Sequence, residues 1–218
     1  MRIPSGPTEN RGGRGRGVFG SGGTPTATNV LDMIEIATTG DAVDFGDDIH
    51  ARQEGYASFA SATRGCFAGG QTPTFLTNIA YVTTSSQGGA NDFGDLQTAQ
   101  TRNVGLSDST RGISAGGGDP VQTAGIEFVT ISTTGDANNF GNLTQARAGA
   151  GACASPTRGL IGGGNPNTNI IDYITIQTGG SAEDFGDLTD DPNHLAGCSN
   201  SIRGLFAGGQ NPSNVNTI

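Results

Sequence analysis

The chain has 218 residues, a net charge of −9 and only 33% hydrophobic residues, with 38 glycines. This length suits one domain rather than two, and the acidic balance leaves little to attract the phosphates of a nucleic acid. Three cysteines without paired spacing argue against a disulfide framework, and no stretch is long and apolar enough to span a membrane.

Residues 1–15 are expected to form a flexible, Gly/Arg-rich tail. The run Arg11-Gly12-Gly13-Arg14-Gly15-Arg16 resembles an RNA-binding box, but an acidic chain makes the plain tail the better reading. No secretory signal follows Met1, so an extracellular role would require export as part of a particle. From Arg16 onward the sequence repeats. An Arg-Gly pair opens a short apolar run ending in a glycine cluster at Arg16, Arg64, Arg111, Arg158 and Arg203, in steps of 48, 47, 47 and 45 residues. A second marker keeps phase with it: Asp44-Phe45-Gly46, Asp92-Phe93-Gly94, Asn139-Phe140-Gly141 and Asp184-Phe185-Gly186. Self-similarity at this period marks a propeller or a stacked array.

Each unit holds four strand-like segments. First comes the Arg-Gly run, then a turn after the glycines at Thr24-Pro25, Thr72-Pro73, Asp119-Pro120, Asn165-Pro166 and Asn211-Pro212. The second segment has the columns Asp32/Ala80/Glu127/Asp172, Met33/Tyr81/Phe128/Tyr173 and Ile34/Val82/Val129/Ile174. A polar column, Glu35/Thr83/Thr130/Thr175, and then Ile36/Thr84/Ile131/Ile176 complete it. β-Branched and aromatic residues at both parities of the alternation predict a strand buried on both faces. The Asp-Phe-Gly segment is the third strand. A small-residue run such as Ala148-Gly149-Ala150-Gly151-Ala152-Cys153-Ala154 is the fourth. The expected fold is all-β, a propeller of four-stranded blades over residues 16–218 with units starting near 16, 64, 111, 158 and 203. Such units cannot bury their faces alone, so stability has to come from their neighbours.

The ends leave the ring open. No small-residue strand precedes the first unit, and the last has only its small-residue and Arg-Gly strands. Four blades would make residues 203–209 duplicate residues 16–22, and five would lack strands in the last blade. Five is favoured, either incomplete or closed by a partner chain. A piece of a longer array would look the same.

Phe67-Ala68-Gly69-Gly70 and Phe206-Ala207-Gly208-Gly209 resemble the diglycine strand of kelch repeats, with Tyr81, Phe128 and Tyr173 as the aromatic of the next strand. Phe45, Phe93, Phe140 and Phe185 take roughly the place where kelch units carry tryptophan, which this chain lacks. Three segments are similar to repeat proteins of tailed phages of marine bacteria, cyanophages among them. They are Asn169-Ile170-Ile171-Asp172-Tyr173-Ile174-Thr175-Ile176, Thr39-Gly40-Asp41-Ala42-Val43-Asp44-Phe45-Gly46-Asp47 and the strand type Thr157-Arg158-Gly159-Leu160. That resemblance implies a protein of the virion.

Several residues invite a chemical role. Four copies of Asp-Phe-Gly at repeat spacing, without other kinase motifs, are structural. Arg64, Arg111, Arg158 and Arg203, with Arg16, are expected to bond carbonyls or carboxylates of the same or next unit, a ligand ring being the alternative. Asp41, Asp44 and Asp47, with Asp48, crowd one loop, and Asp184 and Asp187, with Asp190 and Asp191, another. These are candidate calcium ligands, although the spacing fits no calcium motif and solvated turn carboxylates fit as well. His50 and His194 hold unrelated places in the repeat and suggest no catalytic set. The expectation is a non-enzymatic structural or adhesive virion protein without cofactor, in a tail fibre, appendage or capsid decoration that helps attach to a host. Its partners would be other virion proteins, copies of itself or a surface glycan, with no nucleic acid and no membrane insertion. The alternative is a stand-alone, lectin-like glycan-binding propeller. An oxidase built on kelch blades lacks a visible Tyr/His copper set.

Overall fold

The computed structural model describes residues 15–23, 26–118, 121–211 and 213–214. The expectations for the tail up to residue 14, and for the turns at Thr24-Pro25, Asp119-Pro120 and Pro212, lie outside them. The described chain is all-β, without a helix.

The first sheet is a three-stranded antiparallel meander of β1 (Arg16–Gly23), β2 (Ala27–Glu35) and β3 (Val43–Arg52). The second contains β4 (Ala57–Ala60) and β5 (Arg64–Ala68). A small hairpin of β6 (Gln71–Thr72) and β7 (Thr74–Phe75) follows, and then β8 (Asn78–Thr83) and β9 (Asn91–Asp95) complete the order β4-β5-β8-β9. The third is β10 (Val104–Ser107), β11 (Arg111–Ala115), β12 (Gly125–Thr130) and β13 (Asn138–Asn142). The fourth is β14 (Gly151–Ala154), β15 (Arg158–Gly162), β16 (Ile170–Thr175) and β17 (Glu183–Asp187). A fifth, two-stranded sheet joins β18 (Ala196–Ser199) to β19 (Gly204–Ala207), followed by a hairpin of β20 (Gln210–Asn211) and β21 (Ser213–Asn214).

Local chemistry repeats with the sheets. The turn before each of the last four Arg-Gly strands is closed by a side chain that accepts two backbone amides. Ser61 serves Thr63 and Arg64, Asp108 serves Thr110 and Arg111, Ser155 serves Thr157 and Arg158, and Asn200 serves Ile202 and Arg203. Register is held in common as well: Arg64 faces Thr83, Arg111 faces Thr130 and Arg158 faces Thr175. The glycine after each marker phenylalanine sits at a bulge with φ of 140–156°. At Gly46, Gly94 and Gly141 a side chain is excluded twice over. At Gly94 a Cβ would also lie 2.5 Å from the backbone of Gly135 in the next unit.

The cores lie between sheets, not within them. Val18, Leu31 and Phe45 of the first sheet pack with Phe67 and Val82 of the second. Phe59, Ile79 and Phe93 meet Val129 and Ile131, and Ile113, Ile126 and Phe140 meet Ile161, Ile174 and Ile176. Strands β8, β12 and β16 therefore bury both faces, with one shared burial pattern. The small-residue strands β4, β10, β14 and β18 lie side by side. A Cβ on Gly105 would stand 2.3 Å from the Ser58 carbonyl oxygen, and one on Gly197 2.2 Å from that of Ala152. Ser107 and Ser199 bridge these strands, each donating to and accepting from the backbone of Ala60 and Ala154 respectively. The sheets do not close on themselves. Among the described residues no β-pairing joins the first sheet to the fourth or fifth.

Candidate binding groove and the joints between units

The four small-residue strands line a concave groove of about 630 Å³. Its walls are largely apolar, from Tyr56, Val104, Ala150, Ala152, Leu195 and Ala207. Along its rim one backbone position of each unit takes the left-handed conformation: Gly55 (φ 58°), Arg102 (57°), Gly149 (65°) and His194 (56°), with Glu54 (60°) beside the first. This conformation turns each amide toward the preceding unit. Arg102 N donates to Gly55 O (2.7 Å), Gly149 N to Arg102 O (2.8 Å) and His194 N to Gly149 O (2.8 Å). A non-glycine residue held this way costs about 1–3 kcal/mol, which the relay of hydrogen bonds offsets.

The rim side chains are charged and exposed. Arg102 Nη2 lies 2.7 Å from Glu54 Oε2, with both groups a little under half exposed, so the pair adds about 1 kcal/mol at most. His194 Nδ1 lies 2.6 Å from Asn193 Oδ1. An anion, a cation and an imidazole thus border an apolar trough, an arrangement able to hold a ligand with one polar end. Sequence reasoning places neither Glu54 nor Arg102 here, because nothing in an arginine announces a left-handed backbone. His194 comes to the rim, whereas His50 lies on β3, outside the groove.

The Arg-Gly arginines are clips between units. Arg16 Nη1 donates to Thr84 O (3.2 Å), Arg64 Nη1 to Ile131 O (2.9 Å) and Arg111 Nη1 to Ile176 O (2.9 Å), in each case reaching the next unit. Within its own unit each of Arg64, Arg111 and Arg158 stacks over an aromatic ring, Tyr81, Phe128 or Tyr173, at 4.4–4.6 Å. Those rings meet the marker phenylalanines edge to face: Tyr81 with Phe93, Phe128 with Phe140, Tyr173 with Phe185. Phe45, Phe93 and Phe140 are buried, but Phe185 is 50% exposed. Arg158 and Arg203 are exposed too, and among the described residues no carbonyl of a following unit accepts from the Arg158 guanidinium.

The most buried arginines are others. Arg52 and Arg147 share one place in the repeat, seven residues after the marker phenylalanine, and neither is exposed at all. Arg147 contacts Asp172 of the next unit at 2.5 Å and donates to Ile170 O; Asp172 also accepts from the Thr144 amide and hydroxyl. Burial pulls the Arg147 guanidinium below its ordinary value, and Asp172 opposes that shift. In the second unit the column of Asp172 holds Ala80, and Arg52 pairs instead with Asp48 of its own unit (2.8 Å) and with Asn78. In the third unit Glu127 accepts from the Gln97 amide, and burial raises its carboxyl. The signal in the sequence was an acid inside an apolar strand at Glu127 and Asp172. Their counterpart in the first unit, Asp32, is exposed.

Asp41, Asp44, Asp47, Asp184 and Asp187 are all exposed. Among the described residues no three His, Cys, Asp or Glu side chains converge as a metal site. Asp48 is engaged by Arg52, and Asn211 holds Asp190 and Asp191 together. Cys66 and Cys153 are buried thiols, pushed up to about 12 and about 11 chiefly by that burial, while Cys198 is exposed. No protein-family model matches the chain, and no curated protein is similar to it.

Proposed function

We propose that the units are blades of a kelch-like β-propeller and that the chain is a non-enzymatic structural and adhesive protein of a phage particle. Its place would be a tail fibre, an appendage or a capsid decoration that meets the host surface. The strand order within each full sheet supports the propeller reading: the small-residue strand is innermost, the marker strand outermost, and successive inner strands border one groove. The particle reading draws on the resemblance of segments 39–47 and 169–176 to phage repeat proteins. The observation that carries it is the exposure of large apolar groups on the last units. Phe185, Leu205 and Ile202 are 50%, 51% and 87% exposed, which suits a chain built into an assembly. Mass spectrometry of purified particles should find the chain, and cryo-electron microscopy should place its density on the tail or capsid surface. Absence from purified particles would overturn the reading.

A second reading, a lectin-like module, is favoured by the groove with Glu54, Arg102 and His194 on its rim. Isolated protein would then bind a subset of a glycan array, and Arg102→Ala would abolish the signal without lowering the melting temperature.

A further inference from the structure

We infer that the outer half of the last unit is a docking surface for the first unit of a second copy of this chain, in head-to-tail order. The evidence is what covers this surface everywhere else. At each internal joint, the loop before one unit's marker strand lies on the marker strand of the unit before it. Gly88 N donates to Phe45 O, Gly135 N to Phe93 O and Gly180 N to Phe140 O, at 2.7–2.9 Å. Two residues on, Ala90, Ala137 and Ala182 donate to Asp47 O, Asp95 O and Asn142 O, at 2.7–2.8 Å. At the second and third joints the residue between adds a side-chain acceptor: Asp136 Oδ1 takes the Asp95 amide, and Ser181 Oγ the Asn142 amide.

Both halves of this joint also stand open. On the fourth sheet nothing lies within 4 Å of a Cβ at Gly186, whereas a Cβ at Gly46, Gly94 or Gly141 would strike the next unit at 2.5–2.6 Å. Among the described residues no amide of another unit reaches Phe185 O or Asp187 O, and the Arg158 guanidinium has no hydrogen-bond acceptor. On the first sheet the matching loop is Thr39-Gly40-Asp41-Ala42, all exposed, and Ile36 is 52% exposed where Ile131 and Ile176 are fully buried. Translating the internal joint by one unit sets four contacts. Gly40 N meets Phe185 O, Ala42 N meets Asp187 O, Asp41 accepts the Asp187 amide, and Arg158 donates to Ile36 O.

Among the described residues the first sheet has no inner strand, and β18 is an inner strand whose partner, β19, carries nearly the sequence of β1. Arg203-Gly204-Leu205-Phe206 matches Arg16-Gly17-Val18-Phe19. On docking, β1 of the second copy takes the edge of β18 that β19 holds, so β18, β1, β2 and β3 complete a four-stranded sheet. The chain's own first sheet has no hydrogen bond to its fourth or fifth among the described residues, which favours a second copy over closure within one chain. The inference rests on repeat geometry alone and needs neither the particle nor the glycan role.

Such a contact is heterologous: the two surfaces differ, so copies add end to end. Sedimentation of purified full chain across a wide concentration range tests it. The mass of the unaltered chain should rise with concentration beyond that of a dimer. Phe185→Glu blocks one face and Ala42→Glu the other, each at an exposed or half-exposed residue, so both variants should stay folded, melting within a few degrees of the parent, yet remain monomeric. Mixed in equal amounts, they should form a dimer and nothing larger, because only one joint can form. A parent that is monomeric at every concentration, with Phe185→Glu lowering the melting temperature as much as Phe93→Glu, would mean closure within the chain and overturn the inference. Failure of the mixture to dimerise would overturn it as well.

Discussion

Phe140 and Phe185 hold the same place in the repeat and face the same kind of ring edge to face, at 6.1 and 6.3 Å. Phe140 is 5% exposed and Phe185 50%. The arginines behave alike: Arg111 reaches the Ile176 carbonyl of the following unit, and among the described residues Arg158 reaches none. Both regions carry the same repeat markers, an Arg-Gly pair and a phenylalanine before glycine, so what differs most is the neighbour. Burial in this molecule belongs to the joints, and a unit by itself is a set of half-made contacts.

The comparison breaks most visibly at the buried ion pair. Removing Arg147 leaves Asp172 inside the joint without its cation, which should cost about 3–5 kcal/mol in denaturant unfolding. Arg158→Ala, on the open face, should stay within about 0.5 kcal/mol of the parent. Next comes the marker phenylalanine. Phe140→Ala should cost about 3–5 kcal/mol by opening a cavity between sheets. Phe185→Ala has half its surface in water already and should cost about 1 kcal/mol or less, because relatively little burial is lost. Equal effects at the two positions would show that the fourth unit is covered in solution. A smaller effect, of about 1–3 kcal/mol, is expected for Arg111→Ala, which leaves the Ile176 carbonyl unpaired at a half-buried joint.

Glu127 sharpens the account through pH. Burial raises its carboxyl above the ordinary value of 4.5, so the folded chain holds this proton more tightly than the unfolded one. Its contribution is full below pH 4.5 and is lost as pH rises through the folded value. The stability of the parent relative to Glu127→Gln should therefore fall from acid toward neutral pH, as read by thermal melts in a pH series. The smallest readout is chemical. At mildly alkaline pH a thiol reagent should modify Cys198 in the native chain and reach Cys66 and Cys153 only on unfolding, because both are buried with raised thiol values.

Strand identity was legible in the columns Ile34/Val82/Val129/Ile174 and Ile36/Thr84/Ile131/Ile176, because two-sided burial writes apolar residues at both parities. The marker was legible as architecture, since a bulge with a positive φ and a close neighbour admits only glycine after the phenylalanine. Arg52 and Arg147 were not, because the repeat carries arginine at that place in two units only. The partner also changes, from Asp48 within the unit to Asp172 across the joint. The groove rim was hidden for another reason. Glu54, Arg102 and His194 differ in chemistry and share only a backbone conformation, which side-chain columns do not record.

Residue-resolved hydrogen exchange, at a concentration where the chain is monomeric, tests most directly whether the neighbour alone decides burial. The amides of Gly88, Gly135 and Gly180, with Ala90, Ala137 and Ala182, donate across joints and should exchange slowly, near the limit of global unfolding. Their counterparts Gly40 and Ala42 share the Thr-Thr-Gly-Asp-Ala context of Gly135 and Ala137 but face no preceding unit among the described residues, and should exchange almost as fast as an unstructured peptide. Protection at Gly40 and Ala42 equal to that at Gly135 and Ala137 would contradict the account, since it would place a unit where the structure has none.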